Sequence, residues 1–207
     1  MKPAKTSKAW MREHLNDPYV KLAKAQGYRS RAAFKLEEIS QKDGLIRHGC
    51  MLADLGSTPG GWSQFASRQG AQVIALDLLP MDPIPGVHFI QGDFTEQITL
   101  DEMELALKNR RLDLVICDMA PNMSGVSSVD QARSLYLCEL ALEFARVWLR
   151  PEGNFLVKVF QGEGFSEYLA DMRLSFNQVL SRKPKASRDR SNEVYLLGKG
   201  LKSLVED

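Results

Sequence analysis

The sequence predicts an α/β fold built on a doubly wound, mostly parallel sheet, and three observations carry that reading. Short apolar segments of strand length alternate with longer segments of helical period from about residue 30 onward. Gln72-Val-Ile-Ala-Leu-Asp77 is apolar on both faces, as a central parallel strand covered by helices must be. Met51-Leu-Ala-Asp-Leu-Gly-Ser-Thr-Pro-Gly-Gly-Trp62 reads as an apolar strand ending in an acid, then a glycine-rich turn, then a helix start. In open α/β sheets a first turn of that kind lies where ligands bind, at the carboxyl ends of the strands.

Each element follows from its own pattern. Residues 1–28 read as a basic arm that Trp10, Leu15, Tyr19 and Val20 can dock. Ser30 is the expected cap of a helix over 31–42, with Ala32, Leu36 and Ile39 on one face. Strand one is 50–55, and the glycine turn continues as a helix over 62–68. Strand two is 72–77, strand three 87–93, then a helix over 100–109 and strand four over 112–118. A long helix covers 129–149, with Leu135, Leu140, Phe144, Val147 and Trp148 towards the core. A turn at 150–153 leads into strand five, 154–160; a helix over 164–174 and strands at 176–180 and 194–197 complete a seven-stranded sheet. The 207 residues suit one domain with a short appendage, and no repeat or low-complexity segment interrupts it.

Composition narrows the function classes. A hydrophobic fraction of 44% and a charged fraction of 26% are ordinary for a globular protein. No apolar run approaches the roughly 18 residues that span a bilayer. The charged first residues lead into no apolar stretch, so a secretory leader is not expected and the cytoplasm is the expected location. Cys50, Cys117 and Cys138 are odd in number and unclustered, which fits small buried hydrophobes better than a disulfide frame or a metal site. His14, His48 and His88 have no ligand spacing either, and no metal is expected. The net charge of +1 conceals two basic blocks. Lys2, Lys5, Lys8, Arg12, Lys21, Lys24, Arg29 and Arg31 form one; Arg182, Lys183, Lys185, Arg188 and Arg190 form the other. Such blocks are either solvated surface or a grip on nucleic-acid phosphates, and the second use implies binding that weakens steeply with salt.

The chemistry concentrates where strands end. The glycine turn is not G-x-G-x-x-G, so a dinucleotide pyrophosphate has no cradle there, and Asp54 would repel one. A cationic ligand with an adenosine part, such as S-adenosylmethionine, fits better. Asp77, at the end of strand two, is the expected partner of ribose hydroxyls. Asp93 can accept from an adenine amino group, and Trp62 can offer an aromatic surface; caps on the helices that follow are the alternative for such acids. Lys158 stands in the apolar run Phe155-Leu-Val-Lys-Val-Phe160, where a charge needs a partner or loses its proton. It either snorkels from an edge strand or reaches Asp118 at the end of strand four. To act as a base, a lysine must give up its proton, which costs roughly 4–5 kcal/mol at pH 7 for the side chain in water. Desolvation and a second cation, for which Lys35 is the candidate, reduce that cost, whereas Asp118 opposes it.

Taken together, Asp54-Leu-Gly-Ser-Thr-Pro-Gly-Gly-Trp62, Asp77-Leu-Leu-Pro-Met-Asp82, Gln91-Gly-Asp-Phe94, Asp118-Met-Ala-Pro-Asn-Met-Ser-Gly125 and Val157-Lys-Val-Phe-Gln-Gly162 closely resemble the FtsJ (RrmJ, RlmE) family. The resemblance runs from about residue 29 to 197, through motifs long enough to be specific. It implies a Rossmann-like methyltransferase fold over 29–200, flanked by the arm 1–28 and a tail 201–207. It implies S-adenosylmethionine as cofactor and 2′-O-methylation of a uridine ribose in the A loop of 23S rRNA, on the large ribosomal subunit. The family's catalytic tetrad falls on Lys35, Asp118, Lys158 and Glu193, with Lys158 as general base or stabiliser of the developing alkoxide. Its cofactor contacts fall on Gly60, Trp62, Asp77, Asp93 and Asp118. Ser57-Thr58 departs from the small apolar residues usual there. A nicotinamide oxidoreductase on the same sheet is disfavoured by the glycine spacing and Asp54. A non-catalytic RNA-binding assembly factor that keeps the pocket is the remaining alternative. Nothing in the sequence demands more than a monomer.

Overall fold

The computed structural model describes residues 16–121, 124–188 and 191–203. Among these, chain order gives α1 (Pro18–Ala25), α2 (Ala33–Asp43), β1 (Met51–Leu55), α3 (Gly61–Arg68), β2 (Gln72–Asp77), β3 (Val87–Gln91) and α4 (Gln97–Leu107). There follow β4 (Leu112–Cys117), α5 (Ser127–Trp148), β5 (Leu149–Phe160), α6 (Phe165–Ser175), β6 (Phe176–Arg182) and β7 (Glu193–Leu201). The strands form one sheet in the order β3-β2-β1-β4-β5-β7-β6. β1 to β5 run parallel, while β7 enters antiparallel between β5 and β6. The chain works outward from β1 through β2 to β3, then returns to lay β4 on the other side of β1. That reversal leaves a crevice at the carboxyl ends of β1 and β4, the position where such sheets take ligands.

Alternation divides the core into two layers. Leu52, Val73, Leu114 and Leu156 face α2 and α3, where Leu36, Ile39, Trp62 and Phe65 close over them. Ala53, Leu55, Val115 and Val157 face the other way, against Met103, Phe144 and Met172. Every residue of β1 is buried, which holds the crevice floor rigid. Gly44 stops α2: in the left-handed region (φ 65°) it returns its N–H to Ser40 O.

Several local expectations are corrected. Ser30 caps nothing; α2 begins at Ala33 after a turn, and Ala32 occupies the cap position without a side-chain bond. Val147 is 58% exposed, because the buried stripe of α5 runs instead through Cys138, Ala141, Leu142, Phe144 and Ala145. The expected turn at 150–153 belongs to β5, which absorbs it by a register shift against β4 and a positive φ at Glu152. α4 starts earlier than expected and stops at Lys108, whose φ of 51° ends the helix.

The first basic block is not a simple arm over its described part. α1 is capped by Asp17, whose Oδ1 accepts Tyr19 N at 2.9 Å, and it packs Ala23 against Phe34 and Ala186. Trp10 and Leu15 lie outside the described residues, while Tyr19 packs on Phe34 with ring centroids 5.7 Å apart and Val20 is buried. Ala186 belongs to the second basic block, so the fold sets the described parts of the two blocks side by side. No helix among the described residues is long and apolar enough to cross a membrane.

Candidate active site

The glycine turn after β1 is pinned from behind. Gly56, at φ 71°, and Ser57 both donate their N–H to Leu76 O, at 2.9 and 3.2 Å. Gly60 takes φ 101°, and a Cβ there would fall 2.6 Å from Ile84 Cδ1, so only glycine fits. Asp77 grips the turn from β2: Oδ2 accepts Thr58 N and Oδ1 accepts Leu79 N, each at 2.8 Å. Thr58 Oγ1 also donates to Leu79 O at 3.1 Å, so the residue that departs from the family pattern braces the loop after β2. Arg29 completes the arrangement. Its guanidinium donates to Pro59 O at 3.2 Å, Asp82 O at 2.6 Å and Pro83 O at 2.7 Å.

Asp54 lies at the centre of the crevice floor, 1% exposed, with Ser63 Oγ donating to it at 2.6 Å. Burial pushes its carboxyl up to about 7; the Ser63 hydrogen bond works against that, and the charges of Asp118 and Asp77 add to it. No cation among the described residues pairs with it. It lines the small cavity at the carboxyl ends of β1 and β4 together with Asp118.

The four residues assigned to catalysis converge at the ends of β4, β5 and β7. Their arrangement is two ion pairs rather than one cluster around Lys158. Lys158 Nζ donates to Asp118 O at 2.6 Å and lies 3.2 Å from Asp118 Oδ1. Lys35 Nζ, from the first turn of α2, donates to Glu193 Oε1 at 2.7 Å. Glu193 therefore holds Lys35 directly and acts on Lys158 only through its charge. Burial raises the Glu193 carboxyl, but the Lys35 charge and hydrogen bond outweigh it and hold the group below the usual carboxylate range. Strand pairing explains the meeting: Lys158 lies opposite Tyr195, and Phe160 opposite Glu193.

Sequence reasoning misses Tyr195. It is fully buried, its hydroxyl donates to Asp118 Oδ1 at 2.8 Å, and its ring centroid lies 5.5 Å from Lys35 Nζ. A signal exists, since Tyr195 follows Glu193 by two along a strand and shares its face. Ser63 is missed as well.

The cofactor positions divide. Trp62 and Asp118 line a small cavity with Asp54, Gly56 and Thr58, and Gly60 shapes the adjoining turn. Trp62 offers no open ring face, however: it is 3% exposed, packs at 5.7 Å on Tyr195 and donates Nε1–H to Ala32 O at 2.8 Å. Asp77 spends both oxygens on backbone amides but keeps lone pairs for hydroxyls. Asp93 is absent from that cavity lining; its Oδ1 accepts Thr95 N at 2.9 Å and Thr95 Oγ1 at 2.7 Å, as a turn acid does. The cavity measures about 70 Å³, too little for a nucleoside. The Met119 side chain fills the space above Gly56, where an added Cβ would lie 2.1 Å from it, and an unbranched methionine can turn away. The donor set fits a cationic adenosine ligand; the space requires that rotation. A groove of about 410 Å³ between α4 and α5, lined by Phe94, Leu100, Phe144 and Trp148, contains none of these residues.

The basic blocks are partly committed to the fold. Arg182 forks onto both oxygens of Asp43 at 2.6 and 2.8 Å, and Lys183 Nζ donates to Ser191 O and Glu193 O, both at 2.6 Å. Arg31 pairs with Asp17 and donates to Ala186 O. Lys21, Lys24 and Lys185 remain exposed on the surface that the two blocks share.

The sheet order, the glycine turn at its switch point and the paired lysines and acids define a Rossmann-like methyltransferase. The chain belongs to the FtsJ-like methyltransferase family, whose model matches residues 28–201. It is 63% identical over 203 residues to a Chromobacterium violaceum protein named Ribosomal RNA large subunit methyltransferase E, covering 97% of this chain and 99% of the relative. Proteins of the same name from Methylobacillus flagellatus and Dechloromonas aromatica are 62% and 60% identical, over 96% and 98% of this chain and 97% and 100% of their own lengths. A crystal structure of a Plasmodium falciparum protein described as a ribosomal RNA methyltransferase superposes with a TM-score of 0.75 at 28% identity, covering 84% of this chain and 98% of that one.

Proposed function

We propose that the chain transfers a methyl group from S-adenosylmethionine to the 2′-oxygen of a uridine ribose in the A loop of 23S rRNA, on the large ribosomal subunit. The observation that carries this is Lys158 Nζ held by the carbonyl and carboxylate of Asp118, which lines one cavity with Asp54, the buried acid near the end of β1. The relatives' names support the RNA class. When bound, the cofactor supplies a methyl group already activated on sulfonium, so the protein's task is to position the ribose and manage one proton. Asp54 faces the positive charge, and Asp77 offers acceptors to ribose hydroxyls of the adenosine. Lys158 in its neutral form accepts the proton of the substrate 2′-hydroxyl, and Asp118 then faces the ammonium that forms. Lys35, with its charge balanced by Glu193, keeps N–H donors for the substrate ribose.

Lys21, Lys24 and Lys185 on the joined basic surface contact phosphates, which positions the RNA without reading its sequence. The chain works as a monomer in the cytoplasm, where ribosome assembly supplies its substrate, and residues 29–200 form the catalytic domain. The test is labelled methyl transfer to large subunits isolated without this modification, by wild type and Lys158→Ala, with cofactor binding measured in parallel. Ribose 2′-O-methylation, lost in the variant while cofactor still binds, is the expected result. Binding of cofactor and subunit without transfer by wild type would favour the assembly-factor reading; methylation of a base would overturn the assignment of the four residues.

A further inference from the structure

Beside the two ion pairs the ends of β5 and β7 open into a further cavity, of about 400 Å³, with no role in the steps above. The first turn of α5 walls it with Asp130 and Gln131, and the extensions of β5 and β7 wall it with Phe160, Gln161 and Asn192. Its location follows from the strands. Phe160 lies two residues beyond Lys158 on the same face of β5 and opposite Glu193, and Gln161 N donates to Asn192 O at 3.0 Å. The cavity therefore adjoins Glu193 and its ion pair with Lys35 at the ends of these strands.

Its chemistry suits a base rather than a phosphate. Among the described residues Asp130 is its one ionisable lining group, and a carboxylate repels phosphate. That carboxylate serves the loop before α5, accepting Ser124 N and Oγ at 2.7 Å each and Gly125 N at 3.0 Å. The other polar lining includes three carboxamides, which carry both a donor and an acceptor and so match the edge of a base. Phe160 is the aromatic residue of the lining, and an aromatic ring is the usual platform for an unstacked base.

Gln131 is fixed in orientation. Its Nε2 donates to Phe160 O and to Glu163 O, both at 3.1 Å. The carboxamide rests against Gly162, where a Cβ would come within 2.9–3.0 Å of it. Both partners are carbonyls, so the nitrogen is committed to them and the group left over is the acceptor Oε1. A fixed acceptor takes an N–H and rejects a lone pair. Uracil presents N3–H on its pairing edge, whereas cytosine presents a bare N3.

We propose that this cavity receives the base of the nucleotide being methylated, with Gln131 Oε1 accepting uracil N3–H and Asn192 donating to a uracil carbonyl. This rests on reading the chain as a ribose methyltransferase, and it makes Gln131 the residue that selects uridine over cytidine. Gln131→Met removes the acceptor. Asn192→Ala removes a donor at a residue that serves the fold through its backbone carbonyl. The first measurement is methyl transfer to reconstituted large subunits carrying U or C at the target position. Wild type favours U by about 5- to 150-fold, the worth of one well-made base contact. Gln131→Met brings that ratio towards one, and Asn192→Ala lowers kcat/KM on the U subunit about tenfold with cofactor affinity unchanged. The second measurement needs no turnover. Saturation-transfer NMR with S-adenosylhomocysteine present detects uridine 5′-monophosphate against cytidine 5′-monophosphate, and Asn192→Ala weakens the uracil signal. Transfer to U and C subunits at equal rates by wild type would overturn the base site while leaving the methyltransferase reading intact. No transfer to either subunit, with the uracil signal retained and dependent on Asn192, would overturn the methyltransferase reading and leave a nucleotide site. Loss of both sinks both.

Discussion

Tyr195 Oη donates to Asp118 Oδ1 at 2.8 Å, and that same oxygen faces Lys158 Nζ at 3.2 Å. One phenol thus touches the acid of one ion pair while its ring lies beneath the lysine of the other. Burial, followed by the charge of Asp118, raises the Tyr195 hydroxyl well above its ordinary value, so it remains a donor throughout the working range. Tyr195→Phe keeps the ring and deletes the donor. Stability should fall by about 1.5–3 kcal/mol, the usual net value of a hydrogen bond to a charged group, read from thermal unfolding. In single-turnover methyl transfer the rate should fall roughly tenfold while cofactor affinity holds. A rate equal to wild type would mean that Asp118 holds Lys158 without help.

The Lys35–Glu193 pair predicts an acid-sensitive element. Glu193 is held below its ordinary value of 4.5, so the folded protein binds its proton more weakly than the unfolded chain does. The stabilisation is present above about 4.5 and disappears as pH falls through the lower folded value. Glu193→Gln should therefore flatten the loss of melting temperature below that pH. Removing one partner of a buried pair costs about 3–5 kcal/mol, whereas replacing both by apolar side chains is often neutral. Lys35→Met alone should destabilise clearly, and adding Glu193→Leu should recover the stability without recovering methyl transfer. Recovery of activity in the double variant would show that the pair serves folding alone.

The large elements were legible because their causes are local. The alternation of apolar strands and periodic helices gave β1 to β7 in order, and the glycine turn with its acids gave the crevice. Contacts between distant segments were not legible. Lys35 meets Glu193 only because α2 crosses over β7, and no spacing in the chain encodes a separation of 158 residues. The pairing of Ala23 with Ala186 joins two basic blocks that the sequence holds apart. Arg182 and Lys183 read as phosphate contacts because charge is visible in a sequence, whereas the carboxylate and carbonyls that occupy them are not. Val147 failed for a related reason: the apolar stripe of α5 is wider than its buried face, and only packing decides which edge remains in solvent.

Asp54 predicts two opposed pH responses. Its folded value of about 7 lies above the ordinary value of 3.8, so the folded protein binds this proton more tightly than the unfolded chain. Its contribution to stability is complete below 3.8 and is lost as pH rises towards about 7. Asp54→Asn should remove that loss, and the melting temperature of the cofactor-free protein should then decline less between those limits. A cationic cofactor prefers the ionised acid, so wild-type affinity for S-adenosylmethionine should strengthen as pH passes from about 6 to 8 by several-fold, on the order of one pKa unit of linkage. Asp54→Asn should bind more weakly and with little pH dependence. A wild-type affinity that is flat across this range would exclude Asp54 as the partner of the positive charge.

Arg29 distinguishes a structural cation from an RNA-binding one. As part of a basic block it would grip phosphate, yet its guanidinium is spent on the carbonyls of Pro59, Asp82 and Pro83, tying the glycine turn to the loop after β2. Those two segments frame the cofactor crevice, so Arg29→Met should weaken cofactor binding, by about tenfold for the loss of such charge-assisted bonds at a partly exposed site. The maximal rate at saturating cofactor should change little. Subunit binding provides the control, because deleting a cation that neutralises one phosphate lowers the salt dependence of binding by about one unit of slope. Lys24→Ala should lower that slope and leave cofactor affinity alone; Arg29→Met should do the reverse. If Arg29→Met instead lowers the salt slope and leaves the cofactor constant untouched, the arginine releases its carbonyls for RNA, and the clamp belongs only to the unbound protein.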